Sequence, residues 1–228
     1  MDVKEKIRDC EYNLDQIVHF NPDPFYVNYF FKNFLKSVNR FYDGIFEEAN
    51  RDFGLFVSGK CIREKFESKS VSKNDSKALE FLSWFDQHYK EEHEKPYPSF
   101  IKKVSDYFEM YRELPKTTIK LIPNKVYKDD IPQEIKVDLT KEKLRSKESL
   151  LVEIKRQIPM YLEIINQKRQ NNDEPKIPEN QIIASTFLEL QDYEDMEIPY
   201  CCKVYLPVMN RFLEDSRSEI RRLTTWEG

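Results

Sequence analysis

The sequence predicts a mainly α fold: an irregular bundle of about six or seven helices, with a short extended or β element near residues 117–139. Three observations predict it. Residues 23–53 carry two adjacent apolar stripes at helical spacing. Glycine occurs only 4 times in 228 residues while aromatics make up 14%, a balance that suits long helices with filled interiors. Proline-containing breaks, NPDP at 21–24 and KPYP at 95–98 among them, separate stretches of helical period.

Taken in order, Val3, Ile7, Cys10, Leu14 and Ile17 make Asp2 to Phe20 an amphipathic helix with one apolar seam. The central helix follows, from Asp23 to Phe53. Phe30, Phe34, Val38, Phe41, Ile45 and Ala49 form one stripe, and Val27, Phe31, Leu35, Tyr42 and Phe46 form its neighbour. A helix so covered is surrounded on most sides, and only Asn28, Lys32, Lys36, Arg40, Asp43 and Glu47 are left to reach water. Asp23 before Pro24 reads as an N-cap, and Gly54 stands where the helix should stop. The next stretch begins apolar and turns polar, so its second half reads as a mobile loop.

Helicity resumes at Asn74 or Asp75, with Ala78, Leu82, Phe85 and Tyr89 inward. After KPYP, Ser99 reads as the cap of a helix that points Ile101, Val104, Phe108 and Tyr111 inward and stops at Pro115. Residues 117–122 and 135–139 have strand character, and a small hairpin and a plain extended connector both satisfy the pattern. A helix from Thr140 carries Leu144, Leu151, Ile154, Ile158, Leu162 and Ile165, with Pro159 placed to kink or split it. A polar loop at 170–180 precedes a helix through Ile183, Phe187, Leu190 and Tyr193. The last helix, about Pro199 to Leu223, turns Cys201, Tyr205, Met209, Phe212, Ile220 and Leu223 inward and bends at Pro207. The expected organisation is an N-terminal helical unit over 1–115, a connector over 116–139 and a C-terminal helical unit over 140–228, the two units possible as one domain.

Charge and cysteine usage narrow the function classes. The 37 basic and 41 acidic residues give a net charge of −4, which argues against a dedicated polyanion binder. Locally the sign varies: residues 60–77 hold six basic and three acidic side chains, and 189–197 hold five acidic and no basic ones. The first residues lack the apolar core of a signal peptide, and no apolar run approaches the roughly 18 residues of a membrane span. Cys10, Cys61, Cys201 and Cys202 show no paired spacing and read as free buried thiols in a reducing cytoplasm.

Each chemical motif has a plainer reading. GLFVSGKC, Gly54 to Cys61, has the spacing of a phosphate-binding loop, but Cys61 replaces the magnesium-ligating hydroxyl and a helix precedes it where a strand is required. His88 and His93 stand five apart among Glu91, Glu92 and Glu94, the wrong separation for ligands on one helix face, and read as solvated helix-end charge. His19 reads as a helix-end contact. Asp43, Glu47 and Glu48 could do acid–base work only if they met partners across helices, and read as an exposed edge. Arg40 projects from the largely buried central helix and reads as a buried charge in need of an acidic partner. Cys201 and Cys202 have no nearby His or basic residue except Lys203, which argues against a nucleophilic role. Lys60, Arg63, Lys65, Lys69 and Lys73, interleaved with Phe66, read as a phosphate or nucleic-acid contact if they gather on one face.

The helix FFKNFLKSVNRFYDGIFEEA, the later FLSWFDQHY and the following FIKKVSDYFEMYREL resemble the HEPN-type helical domains of prokaryotes. Catalytic members carry an Arg followed four to six residues later by His, and no Arg here stands so to His19, His88 or His93. The resemblance therefore implies a non-catalytic member and transfers no functional residue. The expected function is a soluble, cytoplasmic binding or scaffold protein without catalytic residues, cofactor or metal, self-associating as a homodimer and not bound to membrane. The alternatives are a HEPN-like accessory that contacts nucleic acid through 60–77, and a helical enzyme with a pocket between helices.

Overall fold

In the computed structural model, residues 2–123, 135–136, 147–190 and 195–225 are described. Their elements are α1 (Val3–Phe20), α2 (Pro24–Asp52), α3 (Ile62–Lys73), α4 (Ser76–His93), α5 (Pro96–Tyr111), β1 (Lys116–Pro123), β2 (Ile135–Lys136), α6 (Lys147–Asn171), β3 (Ile182–Glu189), β4 (Met196–Glu197) and α7 (Ile198–Thr225). A mainly α chain with a small antiparallel sheet is thus what the sequence forms. The chain groups into two units, each assembled from separated segments: residues 1–15, 31–113 and 201–228 in the first, 16–30 and 114–200 in the second.

In the first unit α2 is the spine. Phe31, Phe34, Leu35, Phe41, Ile45, Phe46 and Ala49 are all buried, so both apolar stripes are covered, while Lys36, Arg40, Asp43 and Glu47 stay exposed. Gly54 ends the helix at φ 63° while the amide of Leu55 donates to the Asn50 carbonyl, a left-handed closure that favours glycine. Phe66 of α3 and Phe81 and Phe85 of α4 pack edge-on or tilted around Phe46. On α7, Cys201, Tyr205, Met209, Phe212, Ile220 and Leu223 are buried as their spacing predicts. Glu48 of α2 accepts from Arg217 of α7 at both carboxylate oxygens, 2.9 and 2.6 Å, which ties the spine to the last helix.

Several expectations about this unit are corrected. The second half of 55–75 is helix α3, because Ile62, Phe66 and Ser70 recur at intervals of four and are buried, and Asn74 closes the end in the left-handed region. Of the two cap candidates it is Asp75 that caps α4, as allowed for, its carboxylate accepting from the Ala78 amide. α5 begins at Pro96 with Lys95 at the cap position, so Ser99 lies inside the helix, and Tyr111 points outward. Cys61 is exposed, while Cys10, Cys201 and Cys202 are buried free thiols.

In the second unit the sheet has the order β2-β1-β3-β4, antiparallel throughout. β1 pairs with β2 at Lys120↔Lys136 and Leu121↔Ile135, so the paired reading of this region holds; Val137, Asp138 and Leu139 lie outside the described residues. The helix expected through Ile183 and Phe187 is instead strand β3, in register with β1 from Lys116↔Glu189 to Pro123↔Ile182. Residues 183, 187 and 190 fit a helical face, but Ile182, Ile183, Thr186 and Phe187 are strand formers, and Ile183 is among the exposed residues. Tyr193 lies outside the described residues.

Ile119 and Leu121 of β1, with Ile182 of β3, pack on Leu150, Ile154, Tyr161 and Ile165 of α6. α6 runs unbroken through Pro159, as α7 does through Pro207. Both prolines are exposed, and the carbonyls they release belong to exposed Lys155 and Lys203, where water can satisfy them. Thr140 and Leu144 lie outside the described residues, and Leu151, expected inward, is exposed.

Candidate functional site

The first unit holds a cleft of about 510 Å³. Its floor comes from spacing on two helices. Asn39, Tyr42, Asp43 and Phe46 fall on one face of α2, and Phe85, Asp86 and Tyr89 on one face of α4. Phe46 and Phe85 lie 4.5 Å apart between ring centres, Tyr42 and Tyr89 5.0 Å apart and nearly perpendicular. Cys61, Arg63 and Glu64 reach in from the start of α3, and Glu109 from α5.

The rim is acidic. Asp43, Glu64, Asp86 and Glu109 line the cleft together with one guanidinium, that of Arg63. Arg63 is committed: its Nη2 donates to both oxygens of Asp86, at 2.7 and 2.9 Å. Glu109 is oriented by a relay in which Ser105 donates to the Asn39 carbonyl oxygen and the Asn39 amide donates to Glu109. Among the described residues, neither Asp43 nor Glu64 has a hydrogen bond or ion pair. Partial burial, followed by repulsion from Glu64, Glu47 and Glu109, raises the Asp43 carboxyl above its ordinary range.

Behind the floor runs a buried hydrogen-bonded chain. His93 Nδ1 lies 2.8 Å from the Tyr89 carbonyl, which can only accept, so Nδ1 carries the proton and Nε2 the lone pair. The Tyr205 hydroxyl, 2.9 Å from Nε2, must therefore donate to it, and the Tyr42 hydroxyl, 2.9 Å from Tyr205, donates to the Tyr205 oxygen. Burial raises the Tyr42 and Tyr205 hydroxyls and lowers the His93 imidazole, so all three stay neutral near pH 7. The chain holds Tyr42 and Tyr89 in place in the cleft wall.

The residues singled out from sequence are dispersed. Arg40 is exposed on α2 and is not a buried charge, because its position falls on the narrow water-facing stripe. Lys60 is exposed, Lys65 donates to the Ser58 carbonyl at 2.7 Å, and Lys73 donates to the Gly54 carbonyl at 3.2 Å. Lys69 is half-buried, so of the basic set only Arg63 enters the cleft. His93 is buried, not solvated, while His88 meets Asp215 at 3.2 Å and His19 is exposed. Helix α2 precedes the Gly54–Cys61 stretch, whose Gly59 and Cys61 both have positive φ. Among the described residues no group of three or more His, Cys, Asp or Glu side chains is placed to hold a metal ion, and no helix is long and apolar enough to cross a membrane.

Sequence reasoning missed Tyr42, Glu64, Asp86, Tyr89 and Glu109 as a set. The signal available was a polar residue beside each buried aromatic, Asp43 next to Tyr42 and Asp86 next to Phe85, where a helix face passes from core to rim. No protein-family model, curated protein or solved structure matches the chain.

Proposed function

We propose that this chain is a binding protein without catalysis of its own, and that the cleft over α2 and α4 is its ligand seat. The observation that carries this reading is the cleft itself: about 510 Å³, with an aromatic floor and a few convergent polar groups, the composition of small-molecule sites. The residues around it suit holding better than reacting. Its tyrosine hydroxyls are kept protonated by burial, and His93 is spent on Tyr89 and Tyr205. The test is a thermal-shift and native mass spectrometry screen of the full chain against a chemically diverse panel, repeated with Asp43→Trp, which fills the cleft from an exposed position. Ligands that raise the melting temperature of the parent and not of the variant support the reading. A panel that yields none overturns it.

A second reading, self-association as a homodimer, is favoured by one feature of the second unit. Phe25, Tyr26 and Tyr29 at the start of α2 are exposed, with Tyr26 stacked on Phe20 at 4.5 Å. A concentration-independent mass of 27.6 kDa in solution would sink it; a dimer that dissociates in Phe25→Ser/Tyr29→Ser would sustain it.

A further inference from the structure

Three features of the cleft decide what chemistry it takes. Four carboxylates and one guanidinium line the cleft, and since Arg63 is consumed by Asp86, the other three have no ion pair among the described residues. Two of them, Asp43 and Glu64, have no bonding partner among the described residues, so they add attraction without having to give up a bond first. Beneath them the partly exposed rings of Tyr42 and Tyr89 line the cleft, over buried Phe46 and Phe85. A π face beside spread negative charge attracts a cation, most strongly a large, weakly hydrated one. The four carboxylates also come from four different helices and, among the described residues, are not gathered into a metal-ligating group, so they suit a diffuse charge better than a small divalent ion.

We infer that the ligand is an organic cation, an alkylammonium or guanidinium group seated against the Tyr42 and Tyr89 rings and neutralised by Asp43, Glu64 and Glu109. This rests on the cleft being the ligand seat. Such a group presents either a free amine or the end of a basic side chain on a partner, and the same contacts serve both.

The experiment is titration of the full chain by calorimetry and nuclear magnetic resonance. The probes are choline, its uncharged isostere with carbon in place of the quaternary nitrogen, agmatine and a blocked arginine. Choline is expected to bind at least about tenfold more tightly than the isostere. Asp43→Asn and Glu64→Gln, both at exposed positions that leave the core intact, are each expected to weaken choline binding roughly three- to tenfold. Agmatine tighter than the blocked arginine assigns a free amine, and the reverse assigns a partner's side chain; either supports the class. Equal binding of choline and the isostere overturns the cationic assignment and leaves the cleft a binding site. Cation binding unchanged in both variants overturns it too, by placing the cation elsewhere. If no probe, charged or neutral, enters the cleft, both this assignment and the binding reading fall.

Discussion

Tyr205→Phe removes one oxygen from the centre of a buried chain and leaves its volume almost unchanged. In the native protein that oxygen donates to His93 Nε2 and accepts from Tyr42, each at 2.9 Å, and all three side chains are buried or nearly so. A hydrogen bond of this kind contributes about 1 kcal/mol net, but a buried group stripped of its partner costs about 1–3 kcal/mol. Two groups are stripped here, the Tyr42 hydroxyl and the imidazole nitrogen, so the expected loss is about 2–6 kcal/mol. At roughly 2–4 °C per kcal/mol for a chain of this size, the melting temperature falls by about 4–24 °C. Urea denaturation followed by near-ultraviolet circular dichroism measures it. The companion is Tyr42→Phe in the same background: with its own hydroxyl gone, Tyr42 no longer needs an acceptor, so the double variant should lose at least about 0.5 kcal/mol less than the sum of the two singles. A loss under about 0.5 kcal/mol for Tyr205→Phe, or strict additivity in the pair, would refute the reasoning that the chain is closed and buried.

The remaining predictions concern charge and packing. His93 has its imidazole pKa lowered by burial, so as pH falls through about 6.5 the unfolded chain takes up a proton that the folded one refuses. Stability should therefore drop from pH 7.5 to 5.5 by up to about 1.4 kcal/mol per pH unit, and His93→Gln should flatten that slope in the same denaturation experiment. Glu48→Ala leaves Arg217 without its two-point partner while Asp2, at 3.8 Å, offers only a weak substitute; about 1–3 kcal/mol should be lost, less than for a fully buried pair because the Arg217 side chain is 32% exposed. Leu121→Ala opens a cavity between β1 and α6 in the second unit and should cost about 2–5 kcal/mol, whereas Leu151→Ala, exposed on the same helix, should cost under about 1 kcal/mol.

The helical skeleton and its inner faces can be read from residue order alone. The stripes of α2 and α7 were legible because a long helix repeats its period many times, so each buried Phe confirms the last. Asp75 and Gly54 were legible because caps act through neighbouring backbone. β3 could not be read that way, since a strand of eight residues shows its period too few times to exclude a helix, and the ladder with β1 settles it across a gap of some sixty residues. The cleft belongs to the same class. Asp43, Glu64, Asp86 and Glu109 are each ordinary surface carboxylates on their own helices, and no local pattern says that four helices will bring them round one aromatic floor. His93 shows the reason most plainly: its sequence neighbours are charged, its spatial neighbours are Tyr89 and Tyr205, and burial, not sequence, set its charge.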